Sequence, residues 1–254
     1  MTFFGMLRVK NESRWIRHVL DSMIPLCERI FILDDHSTDC TAQICRLTNE
    51  CVTVYDSPFQ GLDESRDKNF LLDRIHSNIS DSTLRGDPCS PYWVLALDGD
   101  EVLESKGQQI IRDTINTTIA NSYSLQVKYL WNEETNVRVD GVYANFCRPS
   151  IFRVFNKTFK FMSTPWGNGA NFHCASVPQE LIHGFHKCPA RLWHYGYLDK
   201  DLRRTKYDWY NKIDPDNAME DCYRHIIQGD PDGASVDIKL RYAGPMKFET
   251  VEEF

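Results

Sequence analysis

No apolar run among the 254 residues approaches the roughly 18 that a membrane-spanning helix needs; the longest are Ile30–Leu33 and Tyr92–Leu97. Basic residues are not in excess either. Lys and Arg number 29 against 36 Asp and Glu, a formal charge of −7, which argues against a nucleic-acid partner, since such proteins present a basic face. The nine cysteines, at 27, 40, 45, 51, 89, 147, 174, 188 and 222, include no CxxC pair, and they sit in a chain far longer than the usual disulfide-stapled domain. Met1–Val9 lacks a basic segment leading into a long apolar core, so no signal peptide is evident. Free thiols in a cytoplasmic protein with no integral membrane segment are therefore the expectation. The four Asn-x-Ser/Thr sequons (Asn11, Asn78, Asn116, Asn156) then carry no weight. There is no internal repeat and no low-complexity stretch. An apolar fraction of 42% with 26% charged residues supplies a sizeable core and excludes wholesale disorder.

The first hundred residues alternate strand and helix signals. Phe3–Val9 reads as a strand. Trp15, Ile16, Val19, Leu20 and Met23 recur at helical spacing until Pro25. Arg29–Leu33 is a second strand, Ser37–Asp39 cap a helix through Arg46, and Val52–Tyr55 is a third strand. Phe70, Leu71, Arg74 and Ile75 mark a third helix, and Tyr92–Leu97 has the unbroken apolarity of a strand buried on both faces. This rhythm predicts an α/β fold with a central, mostly parallel mixed sheet flanked by helices. Beyond residue 101, Val102–Ile119 reads as a helix. Ser122–Trp131 and Ile151–Phe155 read as strands separated by a long polar loop, and Leu202–Ile213 and Ala218–Ile227 as helices. One domain over 1–254 is expected, with a nucleotide-binding half (1–102), an acceptor and metal half (103–210) and a C-terminal extension (211–254).

Acidic clusters follow two of the expected parallel strands, Asp34-Asp35 and Asp98-Gly99-Asp100-Glu101. Open α/β sheets bind ligands beyond these strand ends. An Asp-x-Asp there suits Mg²⁺ or Mn²⁺, whose hard oxygen preference leaves positions for phosphate and water. Acidic residues at a helix N-terminus would read the same way taken alone.

The motifs in order are more specific. Val9-Lys10-Asn11-Glu12, Ile32-Leu33-Asp34-Asp35-His36-Ser37-Thr38-Asp39-Cys40-Thr41, Asp67-Lys68-Asn69-Phe70, Leu97-Asp98-Gly99-Asp100-Glu101 and Leu192-Trp193-His194-Tyr195-Gly196-Tyr197 followed by Lys206 resemble the glycosyltransferase family 2 proteins of the GT-A (Rossmann-like) fold. Cys40 replaces the usual Gly of the second segment. The resemblance covers about residues 3 to 210. It implies a metal-dependent enzyme that moves a sugar from a UDP-sugar donor to the hydroxyl of a glycan or other acceptor, with inversion. Under it, Asp35 accepts from the uracil ring beside Arg8, and Arg66 or Lys68 flank the base or phosphates. Asp98 touches the ribose, Asp100 and His194 ligate Mn²⁺ or Mg²⁺, and Lys206 joins the metal in stabilising the departing diphosphate.

Family members with the His194-type motif often carry an earlier His-Glu pair whose Glu is a candidate base. Here the matching place reads Phe172-His173-Cys174. His173, Asp140 and Glu180 are the substitutes, although Asp140-Gly141 also reads as a plain turn. His173, His183 and His186 with Cys174 and Cys188 match no common zinc spacing. Arg203, Arg204 and Lys206 also read as a solvated helix face. Two other functions remain in view: a metal-dependent nucleotidyltransferase, disfavoured because no Gly-rich phosphate loop follows strand one, and a non-catalytic nucleotide-sugar-binding module of the same fold.

Overall fold

A computed structural model describes residues 1–79, 90–163, 174–215, 223–229 and 245–251. The elements in chain order are β1 (Thr2–Val9), α1 (Ile16–Met23), β2 (Arg29–Asp34), α2 (Thr41–Thr48), β3 (Val52–Asp56), α3 (Glu64–Asn78), β4 (Tyr92–Ala96), β5 (Glu101–Leu103), α4 (Gly107–Thr117), β6 (Ser122–Trp131), β7 (Glu133–Arg138), β8 (Cys147–Arg153), β9 (His186–His194), α5 (Lys200–Ile213) and β10 (Phe248–Thr250). The strands join in the order β10-β7-β6-β8-β4-β1-β2-β3, with β9 pairing both β6 and β5. β3, β2, β1 and β4 are parallel, whereas β8 runs antiparallel to β4 and to β6. The sheet is therefore mixed, parallel over β3, β2, β1 and β4 and antiparallel from β8 through β6 and β7 to β10.

Alternation along the central strands explains why the sheet is buried on both faces. Phe3, Leu7, Ile30, Ile32, Trp93 and Leu95 point into the core under α1 and α4. Phe4, Met6, Phe31, Leu33, Val94 and Ala96 point into the core formed with Leu71, Leu72 and Ile75 of α3. α3 begins earlier than its apolar spacing indicates, because Asp63 caps it by accepting from the Arg66 amide at 2.9 Å.

Three expectations for the second half are corrected. The segment read as one helix over Val102–Ile119 opens as β5 and turns helical only at Gly107, since Val102 and Leu103 pair with Trp193 and Leu192 of β9. The polar loop between β6 and β8 contains β7, which pairs with β6 and with β10, so the tail returns to the sheet as an edge strand. β9 is not among the expected strands: Cys188, Ala190 and Leu192 alternate inward, but Pro189 interrupts the run. The expected helix over 218–227 lies in part outside the described residues; Tyr223–Ile226 form a single 3₁₀ turn. No helix among the described residues is long and apolar enough to cross a membrane.

Gly5, in the middle of β1, sets how closely α1 approaches the sheet. A Cβ there would lie 2.9 Å from both Ile30 Cγ1 and Met23 Cε. Gly5→Val is expected to lower stability by about 1–3 kcal/mol through overpacking. Urea unfolding would read this as a lower midpoint at unchanged slope; an unchanged midpoint would contradict the packing described.

Candidate active site

Parallel pairing brings the carboxyl ends of β1, β2 and β4 to one edge: Val9 lies opposite Asp34, and Met6 opposite Ala96. At that edge Asp35 is buried and accepts from Arg8 Nη2 at 2.5 Å and from Lys10 Nζ at 3.3 Å. Both bonds fall on Oδ2, so among the described residues Oδ1 carries no partner. Arg8 also donates through Nε to Asp67 at 2.9 Å, and Arg66 donates to the other oxygen of Asp67 at 2.9 Å. Arg66 further holds the Gln60 and Gly61 carbonyls and lies 4.4 Å over the Phe59 ring. These links tie the first strand end, the second strand end and the start of α3 into one charged lattice.

Lys68 is turned differently. Its ammonium donates to the carbonyls of Cys174 at 2.8 Å and Ala175 at 3.3 Å, while Glu64 accepts from the Cys174 amide at 3.1 Å. Lys68 therefore pins the segment after residue 173 onto α3, and its charge helps keep Asp98 ionised. Cys174 is buried, and burial pushes its thiol up to about 11, so it is no base near neutrality.

The two carboxylates of Asp-x-Asp differ sharply in setting. The Asp98 side chain is 51% exposed and accepts from Arg148 Nη1 at 2.6 Å. Arg148 also bonds Glu101, whose carboxylate accepts from the Asp98 amide at 3.0 Å. Partial desolvation at the strand end opposes the ionised form of Asp98, yet the Arg148 guanidinium holds it well below the carboxylate range. Asp100 is buried and accepts from Lys206 Nζ at 2.6 Å. Burial opposes its charge too, but the Lys206 ammonium outweighs burial and holds the carboxyl below its usual range.

Sheet register delivers His194 to the same place. Glu101 pairs with His194 across β5–β9, Tyr129 of β6 pairs with it from the other side, and the Tyr195 amide donates to the Asp100 carbonyl at 2.9 Å. His194 Nε2 lies 3.8 Å from Asp100 Oδ2, and its buried Nδ1 has no partner among the described residues. The ring packs between Tyr129 and Tyr197, each 4.8 Å away between centroids. Burial drives its pKa down to about 4, so at neutral pH the imidazole is uncharged with a lone pair available. Gly196 is what lets these groups meet: a Cβ there would fall 2.1 Å from Asp100 Oδ2, 2.2 Å from Lys206 Nζ and 2.8 Å from His194 Cε1. A buried carboxylate whose Oδ2 faces Nε2 of a neutral imidazole is a donor pair that could hold a divalent cation such as Mn²⁺.

Of the sequence candidates, Arg8, Asp35 and Arg66 gather at the β1/β2 ends, and Asp98, Asp100, His194 and Lys206 at the β4/β5 turn. Asp140 is committed elsewhere. Arg138, fully buried, donates to both of its oxygens at 2.9 Å, the Lys247 amide adds a third bond at 3.1 Å, and these bonds hold its pKa low despite partial burial. That makes Asp140 the anchor of the returning tail and a weak base. His173 lies outside the described residues, as does any zinc site that would include it; among the described residues no group of three or more His, Cys, Asp or Glu side chains could hold a metal ion. The solvated-face reading of α5 fails at Arg203, which is buried, donates to the Tyr197 carbonyl at 2.9 Å and lies 4.4 Å over Trp131.

Two site residues escaped the sequence reading, Arg148 and Glu12. Arg148 arrives from β8, 50 residues beyond Asp98, with no local signal. Glu12 lies across Gly99, whose Cβ would approach Glu12 Cγ to 2.7 Å. Its place directly after Asn11 at a strand end was the available clue.

No protein-family model and no curated protein sequence matches the chain. Among solved structures it is similar to residues 1–349 of S. aureus TarS, with 13% identity over 89% of this chain and 69% of that one and a TM-score of 0.49. The same fragment in complex with UDP gives 15% identity, 89% and 70% coverage and a TM-score of 0.46. Glucosyl-3-phosphoglycerate synthase from Mycobacterium tuberculosis, in complex with Mn²⁺, UDP-glucose and phosphoglyceric acid, is similar over 50% of this chain and 44% of its own, with 19% identity and a TM-score of 0.33.

The crowding of carboxylates has a measurable consequence. Burial and the Asp100 charge raise Glu12 to about 8, and burial raises Glu101 to about 7 against the pull of Arg148. The folded chain thus retains protons that the unfolded chain releases near the ordinary carboxylate range. Their stabilising contribution is full below that range and is lost as pH rises through 7 to 8. Glu12→Gln, which is uncharged throughout, is expected to flatten the fall in melting temperature between pH 5.5 and 8.5; parallel profiles for the variant and the unaltered chain would refute the assignment.

Proposed function

We propose that this protein is a metal-dependent glycosyltransferase that moves a sugar from a UDP-sugar to an acceptor hydroxyl, with inversion at the anomeric carbon. The observation that carries this reading is the meeting of Asp100 and His194 beside exposed Asp98, on the same sheet edge as Asp35. It joins a cation site to a base-recognition site across a strand-end crevice.

In this reading Asp35 accepts the imide N–H of uracil through Oδ1, while Arg8 and Lys10 hold Oδ2 and fix the carboxylate plane. Asp98 accepts from the ribose hydroxyls, oriented by Arg148. Asp100 and His194 would hold a divalent cation, which would supply positive charge beside the diphosphate. Lys206 adds a second positive charge on the same side, so negative charge developing on the leaving group meets preorganised cations. With Asp140 bound to Arg138, His173 and Glu180 remain the candidates to take the acceptor proton. The aromatic walls Tyr129 and Tyr197 around His194 are suited to exclude water from the reacting centre.

The deciding experiment is donor consumption, with and without sugar acceptors, in Mn²⁺ and in EDTA. Consumption is expected only with Mn²⁺, and Asp100→Asn should lower its rate by about 10²–10³-fold while leaving the thermal transition in place. Full activity in EDTA would refute the cation assignment, and UDP binding without consumption would favour the non-catalytic module. Base choice is tested separately by calorimetry. UDP is expected to bind more tightly than GDP, with Asp35→Ala erasing the difference, because a site built for one hydrogen-bonding edge rejects a base that leaves it unpaired. Equal binding of the two diphosphates would overturn the uridine assignment alone.

A further inference from the structure

Both carboxylates of Asp98-Gly99-Asp100 carry a positive group of the chain's own, and the two groups differ in kind. Arg148 reaches Asp98 from a strand, braced by Glu101, and its planar fork is engaged on both sides. Lys206 reaches Asp100 from α5 with a single point charge, 2.6 Å from Oδ2 on the side facing His194. The same Oδ2 is the Asp100 oxygen that faces His194 Nε2, at 3.8 Å. Gly196 borders the ammonium and the carboxylate together, since one added carbon would touch both. The ammonium therefore occupies the mouth of the very donor pair that suits a divalent ion.

We infer that Lys206 is a tethered competitor of the divalent cation: it neutralises Asp100 while the site is unloaded and must leave Oδ2 when the metal binds, moving towards the diphosphate. The inference rests on the reading of Asp100 and His194 as the cation's ligands. The physical reason is the cost of an unpaired buried carboxylate, which demands a counter-charge at all times. Lys is suited to the exchange and Arg is not, because a compact ammonium on a four-carbon stem swings between partners whereas a bidentate fork resists it. The 5.5 Å approach of Lys206 Nζ to the Tyr197 ring marks an apolar wall along which the stem can shift. In the loaded state the ammonium would face phosphate oxygens, so one side chain would serve both the empty and the filled site. Such competition lowers apparent metal affinity by the fraction of time that Asp100 is free of Lys206. It also makes the nucleotide diphosphate and the metal bind cooperatively, since the diphosphate gives the displaced ammonium somewhere to go.

Two measurements test this. Mn²⁺ binding without nucleotide, read from the electron paramagnetic resonance of free Mn²⁺, should be about tenfold tighter or more in Lys206→Met than in the unaltered chain. Equal or weaker binding by a folded Lys206→Met overturns the inference. The second uses the unaltered protein and does not depend on the variant folding: acetylation of Lys206 by a small amine reagent, mapped by mass spectrometry, should rise severalfold when Mg²⁺ is added. Unchanged or reduced labelling overturns it. Absence of Mn²⁺ binding in both proteins overturns it together with the cation assignment. Tighter Mn²⁺ binding by Lys206→Met in a protein that consumes no UDP-sugar sustains the inference and refutes glycosyl transfer alone.

Discussion

A buried carboxylate without a positive partner is among the costliest arrangements a fold can hold. Asp100 would be such a carboxylate without Lys206, and the architecture around it follows from keeping it charged. Lys206 supplies the counter-charge from α5. Residue 196 is glycine because any side chain would separate the pair. His194 stays neutral beside them because burial and the Lys206 charge disfavour a further cation there. Glu12, close enough to feel the Asp100 charge, answers by retaining its proton.

The sheet turns this electrostatic requirement into geometry. β5 is only three residues long, and its pairing with β9 sets Glu101 against His194. A one-residue slip of that pairing would turn His194 to the opposite face, away from Asp100. Flanking bonds guard the register: Glu104 accepts from the Arg191 amide at 2.7 Å and from its guanidinium at 2.7 and 2.9 Å, and the Glu104 amide donates to the Arg191 carbonyl. On the other side of the crevice, the Arg8–Asp67–Arg66 links make the start of α3 a fixed wall. Charged groups here are rigid because each has partners on more than one element. Arg138 repeats the pattern at the far edge, where it bonds Asp140, the His225 carbonyl and Gln228 and packs over Trp131 and Tyr143.

Local sequence carried the parallel half of the fold almost completely. β1 to β4 are apolar on both faces and a helix separates each from the next, so pattern alone specifies strands, helices and a mostly parallel order. Asp35, Asp98 and Asp100 were legible for the same reason: a carboxylate just after a buried parallel strand lies at the carboxyl edge of the sheet. The second half was less legible because its strands owe their existence to distant partners. Val102 and Leu103 suit a helix as well as a strand, and pairing with Leu192 and Trp193 makes the choice. β7 is polar and exists because β6 and β10 flank it.

What the sequence by itself determined is therefore the α/β order of the first hundred residues, the strand-end acids, and the candidacy of His194 and Lys206 through their motifs. Only the tertiary structure decided which of these groups meet. It brought Arg148 to Asp98, laid Glu12 across Gly99, bound Asp140 to Arg138, buried Arg203 and set Lys206 on Asp100. The reason is physical. A strand or a cap is a local balance of propensity and periodicity, readable within ten residues. The charge state and partner of a buried ionisable group depend on whatever the fold packs against it, and for Asp98 and Asp100 those partners lie 50 and 106 residues away.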